Sequence, residues 1–229
     1  MLILNKTISA DDDDLLQAIG VRNMTAIRVE RFDEMHDVQQ GTGRDGYIPK
    51  IDRRLYVPVR RTVPGDNSCL FHAIESPPPP LTRRYIFNDK SRKDPTYLRH
   101  KIAEIIQLYP QKFTAHYLGQ ENQRYCRSIV NKDTWGGNVE LSIFSFMYAT
   151  RIVVYDLENQ LEVIYGEPGF NRMAFIIYTG NHFDVLCLTT AIGTTELDDV
   201  VLFNSQDEGA IEKMHAFMHH EHPSMRFVL

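Results

Sequence analysis

Cys69 stands where the turn-forming run Pro64-Gly65-Asp66-Asn67-Ser68 gives way to Leu70-Phe71-His72-Ala73-Ile74-Glu75. A strand over Leu55-Tyr56-Val57-Pro58-Val59, a polar turn and then a helix place this thiol in the first turn of the helix. Unpaired amides and the positive end of the helix dipole there favour thiolate over thiol, the condition for a cysteine nucleophile near neutral pH. The competing reading of a lone cysteine is a small buried hydrophobe.

A nucleophile needs a base, and His182 in Tyr178-Thr179-Gly180-Asn181-His182-Phe183-Asp184 is the informative candidate. It lies between two apolar strand-like runs, at the tip of a turn. Alternate side chains of a strand share a face, so Asp184 falls on the side of His182, where a carboxylate would orient the ring and favour its protonated form. Of the nine histidines, only His182 has an acidic residue at this spacing between such strands. His72 would sit near the thiol on the same helix, but its side chain points back along its own face. Cys126 and Cys187, in apolar helical and strand-like surroundings, read as buried and inert.

The elements that must position these residues follow from local pattern. Pro95 after Asp94 starts a helix with an apolar face of Leu98, Ile102, Ile105 and Ile106. Helical periods recur over 121–130 and 139–148, the latter with Leu141, Phe144, Met147 and Tyr148 on one face. Four strand-like runs then follow at 151–155, 161–165, 174–178 and 183–188. Helices followed by a compact set of strands predict an α+β fold, with helices packed around a mostly antiparallel central sheet. The four prolines within Ser76 to Leu81 predict an extended surface loop, and the aspartates at 11–14 a helix start.

The chain has 229 residues, 43% of them hydrophobic, enough for one well-buried domain with extensions. A formal net charge of -5 and the lack of interleaved basic and aromatic residues argue against nucleic acid. No apolar run approaches the roughly 20 residues a bilayer-spanning helix needs, so a soluble intracellular protein is expected. Three cysteines without a Cys-x-x-Cys pair argue against a disulfide framework or a cysteine zinc site. His215 and His219 share a helical face near His220 and His222, but without a third ligand they read as a solvated helix end. No metal or cofactor is expected.

From about Tyr56 to Thr190 the chain resembles the ovarian tumour (OTU) family of cysteine deubiquitinases. Asp66-Asn67-Ser68-Cys69-Leu70-Phe71 is similar to the family's nucleophile motif, Asp133-Thr134-Trp135-Gly136-Gly137-Asn138 to its Trp-Gly-Gly segment, and Asn181-His182-Phe183-Asp184 to its histidine motif. With Tyr117-Leu118-Gly119 and Asn122-Gln123-Arg124-Tyr125-Cys126, the pattern most resembles the branch that acts with an AAA ATPase segregase in endoplasmic-reticulum-associated degradation.

The resemblance implies a papain-like cysteine protease fold, with residues 55–190 as the catalytic domain and 33–54 as a linker. Residues 1–32 are similar to part of a ubiquitin-like (UBX-like) domain, too short for the whole, which weakens the expectation of segregase docking. Residues 191–229 form a helical extension lacking the branch's zinc finger. Cys69, His182, Asp184 and Asp66 are the implied catalytic set, with Asp66 as a builder of the turn. The backbone from Asp66 through Asn67 and Ser68 to Cys69 would face the oxyanion. Trp135, Gly136, Gly137, Asn138 and Asn181 would meet ubiquitin, and for the Trp-Gly-Gly turn a plain helix-capping role stays open. The expected partners are ubiquitin and polyubiquitin chains, in the cytoplasm and with the nucleus open. A ubiquitin-binding module without turnover, and another thiol amidase or acyl transferase, stay as alternatives.

Overall fold

The computed structural model describes residues 56–74, 95–190 and 199–228. The acidic run, residues 1–32, the linker, Asp94 and the proline loop all lie outside them. The described residues fall into two compact units: residues 96–134, and the remainder on either side.

The second unit is built on a six-stranded sheet. Its strands are β1 (Val57–Arg61), β2 (Thr150–Asp156), β3 (Leu161–Tyr165), β4 (Arg172–Tyr178), β5 (Phe183–Thr189) and β6 (Phe203–Asn204). They run in the order β1-β5-β4-β2-β3, with β6 beside β4. Among the described strands only β2 and β4 pair in parallel, so the fold is α+β on a mostly antiparallel sheet. The first strand ends two residues beyond the expected run, because pairing with β5 carries it from Val57↔Thr189 to Arg61↔Val185. That extension brings two arginines into the sheet.

The sheet's two faces follow its alternation. Val153, Tyr155, Phe175, Ile177, Leu186 and Leu188 form one apolar face, covered by Met214 and Met218 of a helix at Glu208–Glu221. The opposite parity, including Ile152, Val154, Ile176 and Val185, is equally buried. Helix α1 (Cys69–Ile74) packs on β5, and a second helix, Asn138–Met147, packs on β2 and β3. Phe71 and Phe144 join these two helices edge to face, with ring centroids 5.9 Å apart.

At the far edge, residues 225–228 strap onto β3. Glu162 N–H donates to the Arg226 carbonyl at 2.8 Å, and Arg226 N–H to that of Gln160 at 3.1 Å. The buried Glu162 carboxylate accepts from Val228 N–H at 2.6 Å and pairs with His215 Nε2 at 3.0 Å. His215 is thus committed to Glu162, while His219 and His220 are exposed at the helix end.

The first unit holds three helices: α2 (Pro95–Leu108), α3 (Ala115–Leu118) and α4 (Asn122–Val130). The remaining two helices are then α5 (Asn138–Met147) and α6 (Glu208–Glu221). The expected face of α2 is buried at Leu98, Ile102, Ile105 and Ile106. Buried Arg99 closes the end of α4 by donating to the carbonyls of Ile129 and Asn131 at 3.0 and 3.1 Å. Helix α3, a single turn capped by Thr114 and ended by Gly119 at φ 69°, escaped the periodicity. Among the described residues no helix is long and apolar enough to cross a membrane.

Burial makes the fold sensitive to alkali. Burial pushes Tyr109 up to about 12, and raises Tyr155 and Cys187 further. The unfolded chain ionises these groups first, so their contribution is complete below about pH 9 and fades as pH climbs through 10 toward 12. Each group costs roughly 1.4 kcal/mol per pH unit in that window. Urea midpoints measured at pH 8 and 10.5 should fall at constant slope; equal midpoints would mean these groups are hydrated in the folded state.

Candidate active site

The nucleophile turn is held by Asp66. Its Oδ1 accepts from Ser68 N–H at 2.7 Å, its carbonyl accepts from Cys69 N–H at 3.2 Å, and its Oδ2 meets His72 Nε2 at 3.0 Å. One carboxylate therefore fixes both the turn and the first turn of α1. His72 faces Asp66 rather than the thiol. Two of the amides expected to face an oxyanion, those of Ser68 and Cys69, are engaged inside the turn in this state.

Cys69 is half-buried, and its sulfur faces the backbone amide of Phe183, the residue after His182. The expectation of a resting thiolate does not hold. Burial raises the thiol's pKa, the amides of Phe183 and Leu70 oppose this, and the negative charge of Asp66 adds to the rise. Desolvation is the largest of these influences, because α1 packs against β5. Among the described residues the thiol makes no side-chain hydrogen bond to His182. Such a bond commonly forms only when substrate arrives.

His182 emerges from the β4–β5 turn, where Thr179 N–H donates to its carbonyl at 2.9 Å and Gly180 takes φ 98°. The Tyr178 hydroxyl, donating to the Gly180 carbonyl, braces the same turn. His182 Nε2 lies 3.0 Å from Asp184 Oδ1. A carboxylate only accepts, so the proton sits on Nε2, and Nδ1 is left as the nitrogen that can exchange a proton with the thiol. Asp184 is 1% exposed and fully engaged: Val63 N–H donates to Oδ1 at 3.0 Å, and Arg60 Nε to Oδ2 at 2.8 Å. Arg60 lay one residue past the expected strand, and nothing local in the sequence marks its partner.

The Trp-Gly-Gly segment meets the nucleophile turn directly. Exposed Trp135 donates its indole N–H to Asn67 Oδ1 at 2.6 Å. A Cβ on Gly136 would stand 2.9 Å from Leu70 Cδ2 and 3.0 Å from Phe71 Cε2, so only glycine lets this backbone lie against α1. Gly137 N–H donates to Glu140 Oε2 at 2.7 Å, which caps α5. The segment thus both caps a helix and walls the site. Asn138 Oδ1 accepts from the Tyr165 hydroxyl at 2.8 Å, and Asn181 is exposed beside the histidine turn.

Together these residues enclose a cleft of about 250 Å³ lined by Cys69, Trp135, Asn138, Asp156, Tyr178 and Asn181. Glycines 136 and 137 form part of its wall. Neither of the other two cysteines is among its lining residues. Cys126 donates to the Ala103 carbonyl at 3.5 Å, Cys187 to that of Val59 at 3.6 Å, and burial raises both thiols' pKa values.

The comparisons with known proteins agree with this geometry. The family model OTU, described as OTU-like cysteine protease, matches residues 64–183. A ubiquitin thioesterase OTU1 of Dictyostelium discoideum is 32% identical over 170 residues, covering 74% of this chain and 50% of the relative. An ovarian tumour domain-containing deubiquitinating enzyme 2 of Arabidopsis thaliana is 35% identical over 146 residues, 63% of this chain and 65% of that protein. The chain thus spans about half to two thirds of these relatives. A solved structure of an ovarian tumour (OTU) domain in complex with ubiquitin superposes with TM-score 0.56 at 26% identity, covering 71% of this chain and 84% of the other. The matched segment runs from the turn that presents Cys69, through the Trp-Gly-Gly wall, to the turn that carries His182, and the chain belongs to the OTU-like cysteine protease family.

Proposed function

We propose that this protein is a thiol-dependent deubiquitinase that hydrolyses the isopeptide bond at the ubiquitin C-terminus. The observation that carries the reading is that the Cys69 sulfur, on a glycine-walled cleft, faces the amide of Phe183, the residue between His182 and its partner Asp184. His182 Nδ1 takes the Cys69 proton as the sulfur attacks the isopeptide carbonyl, then delivers it to the departing lysine amine. Water, activated by the same nitrogen, hydrolyses the thioester and restores the thiol.

The amides of the 66–69 turn receive the oxyanion, with Cys69 N–H exchanging its long bond to Asp66 for the substrate oxygen. A raised thiol pKa fits an enzyme that ionises its nucleophile only in the Michaelis complex. Residues 55–190 make up the catalytic domain, and Trp135, Asn138 and Asn181 face the incoming ubiquitin. A role in protein quality control, including endoplasmic-reticulum-associated degradation, belongs to the same proposal. It rests on the sequence resemblance alone.

Ubiquitin carrying a C-terminal propargylamide tests the reading. Intact-mass analysis should show one ubiquitin added per chain, and peptide mapping should place it on Cys69. A folded protein that binds ubiquitin without forming an adduct would instead be a binding module. One whose thiol reacts with iodoacetamide but not with the ubiquitin probe would be a different thiol enzyme.

A further inference from the structure

We propose that Arg60 is a positioning residue of this site, acting through Asp184 to set the orientation of His182. The inference rests on the thiol-hydrolase reading above and adds a member to its machinery. Asp184 is buried to 1% exposure, and a carboxylate taken that far from water needs a compensating charge. Arg60 supplies it. Its Nε and Nη2 lie 2.8 and 2.7 Å from Oδ2, while Oδ1 receives Val63 N–H and His182 Nε2, both at 3.0 Å. The two oxygens are divided, one for the guanidinium and one for the imidazole.

This division has one consequence. The guanidinium locks the carboxylate's rotation, so Oδ1 stays aimed at Nε2 and the ring keeps Nδ1 for the thiol.

Strand β1 carries its own control. Arg61, the next residue, points to the opposite face and grips Asp199 with Nε at 2.8 Å and Nη2 at 2.9 Å. Both arginines tie β1 to the unit, but only Arg60 touches the site.

The experiment compares full-length Arg60→Gln, Arg60→Lys and Arg61→Gln with the unaltered protein. It follows hydrolysis of a ubiquitin C-terminal fluorogenic amide, alongside thermal melting. Arg60→Gln should lower kcat about 10- to 100-fold at nearly constant KM. Arg60→Lys, with the charge but a single point of contact, should recover most of kcat. Arg61→Gln should melt earlier yet keep kcat. The proposal is overturned if Arg60→Gln keeps kcat, if Arg61→Gln behaves like it, or if lysine restores nothing. Should the unaltered protein not turn over at all, the deubiquitinase reading fails. The same variants, compared by their rate of Cys69 alkylation against pH, then decide the Arg60 proposal alone.

Discussion

Cys69→Ala is expected to reduce diubiquitin hydrolysis by about 10⁴-fold or more while leaving the fold and ubiquitin binding in place. The rate falls this far because the covalent step has no substitute in the cleft. Cys126 and Cys187 are not among the cleft's lining residues, and burial raises both their thiol pKa values. Stability is spared for a different reason. Cys69 is half-buried at the first position of α1, its sulfur makes no side-chain hydrogen bond among the described residues, and alanine is a better helix former. The turn is tied by Asp66 and by Trp135 to Asn67, none of which the substitution touches. The melting temperature should therefore shift by only a few degrees, and titration with ubiquitin should give wild-type affinity. Activity within tenfold of the unaltered protein would move the nucleophile to another residue.

Local features were legible in the sequence because local physics makes them. Pro95 starts α2, apolar spacing gives α4 and α5, and β-branched runs give β2 to β5. Asp184 beside His182 could be inferred from strand alternation alone. What escaped was set by pairing between distant residues. Arg60 meets Asp184 only because β1 lies antiparallel to β5, with a register joining residues more than a hundred positions apart. The parallel contact of β2 with β4 and the strap of residues 225–228 on Glu162 are likewise global. The thiol's electrostatics were misjudged for a related reason. A helix N-terminus is visible in sequence, whereas the packing of α1 on β5 that desolvates the sulfur is not. Asn67 was assigned to the turn, but its contact with Trp135 joins two motifs that the sequence shows only as separate.

His182→Ala should be nearly as damaging to catalysis as loss of the thiol, about 10³-fold or more in kcat, yet mild in its effect on stability. The two effects separate because of how Asp184 is held. Removing the imidazole takes one of four contacts from the carboxylate, leaving Val63 N–H and two nitrogens of Arg60 in place. The buried charge stays paired, so the cost should stay near 1 kcal/mol, in the range of a single lost hydrogen bond. Asp184→Ala is the opposite case. It strands Arg60, Val63 N–H and the ring together, and should lower kcat and melting temperature at once, by about 3 kcal/mol or more in stability. Added imidazole offers a further readout: it can enter the space vacated in His182→Ala and should restore part of the rate, while doing nothing for Cys69→Ala. If His182→Ala instead retained full activity, proton transfer would have to come from elsewhere, and His72 does not supply it, since its Nε2 is committed to Asp66. A strongly destabilised His182→Ala would show that the imidazole, rather than Arg60, is what keeps the buried carboxylate tolerable.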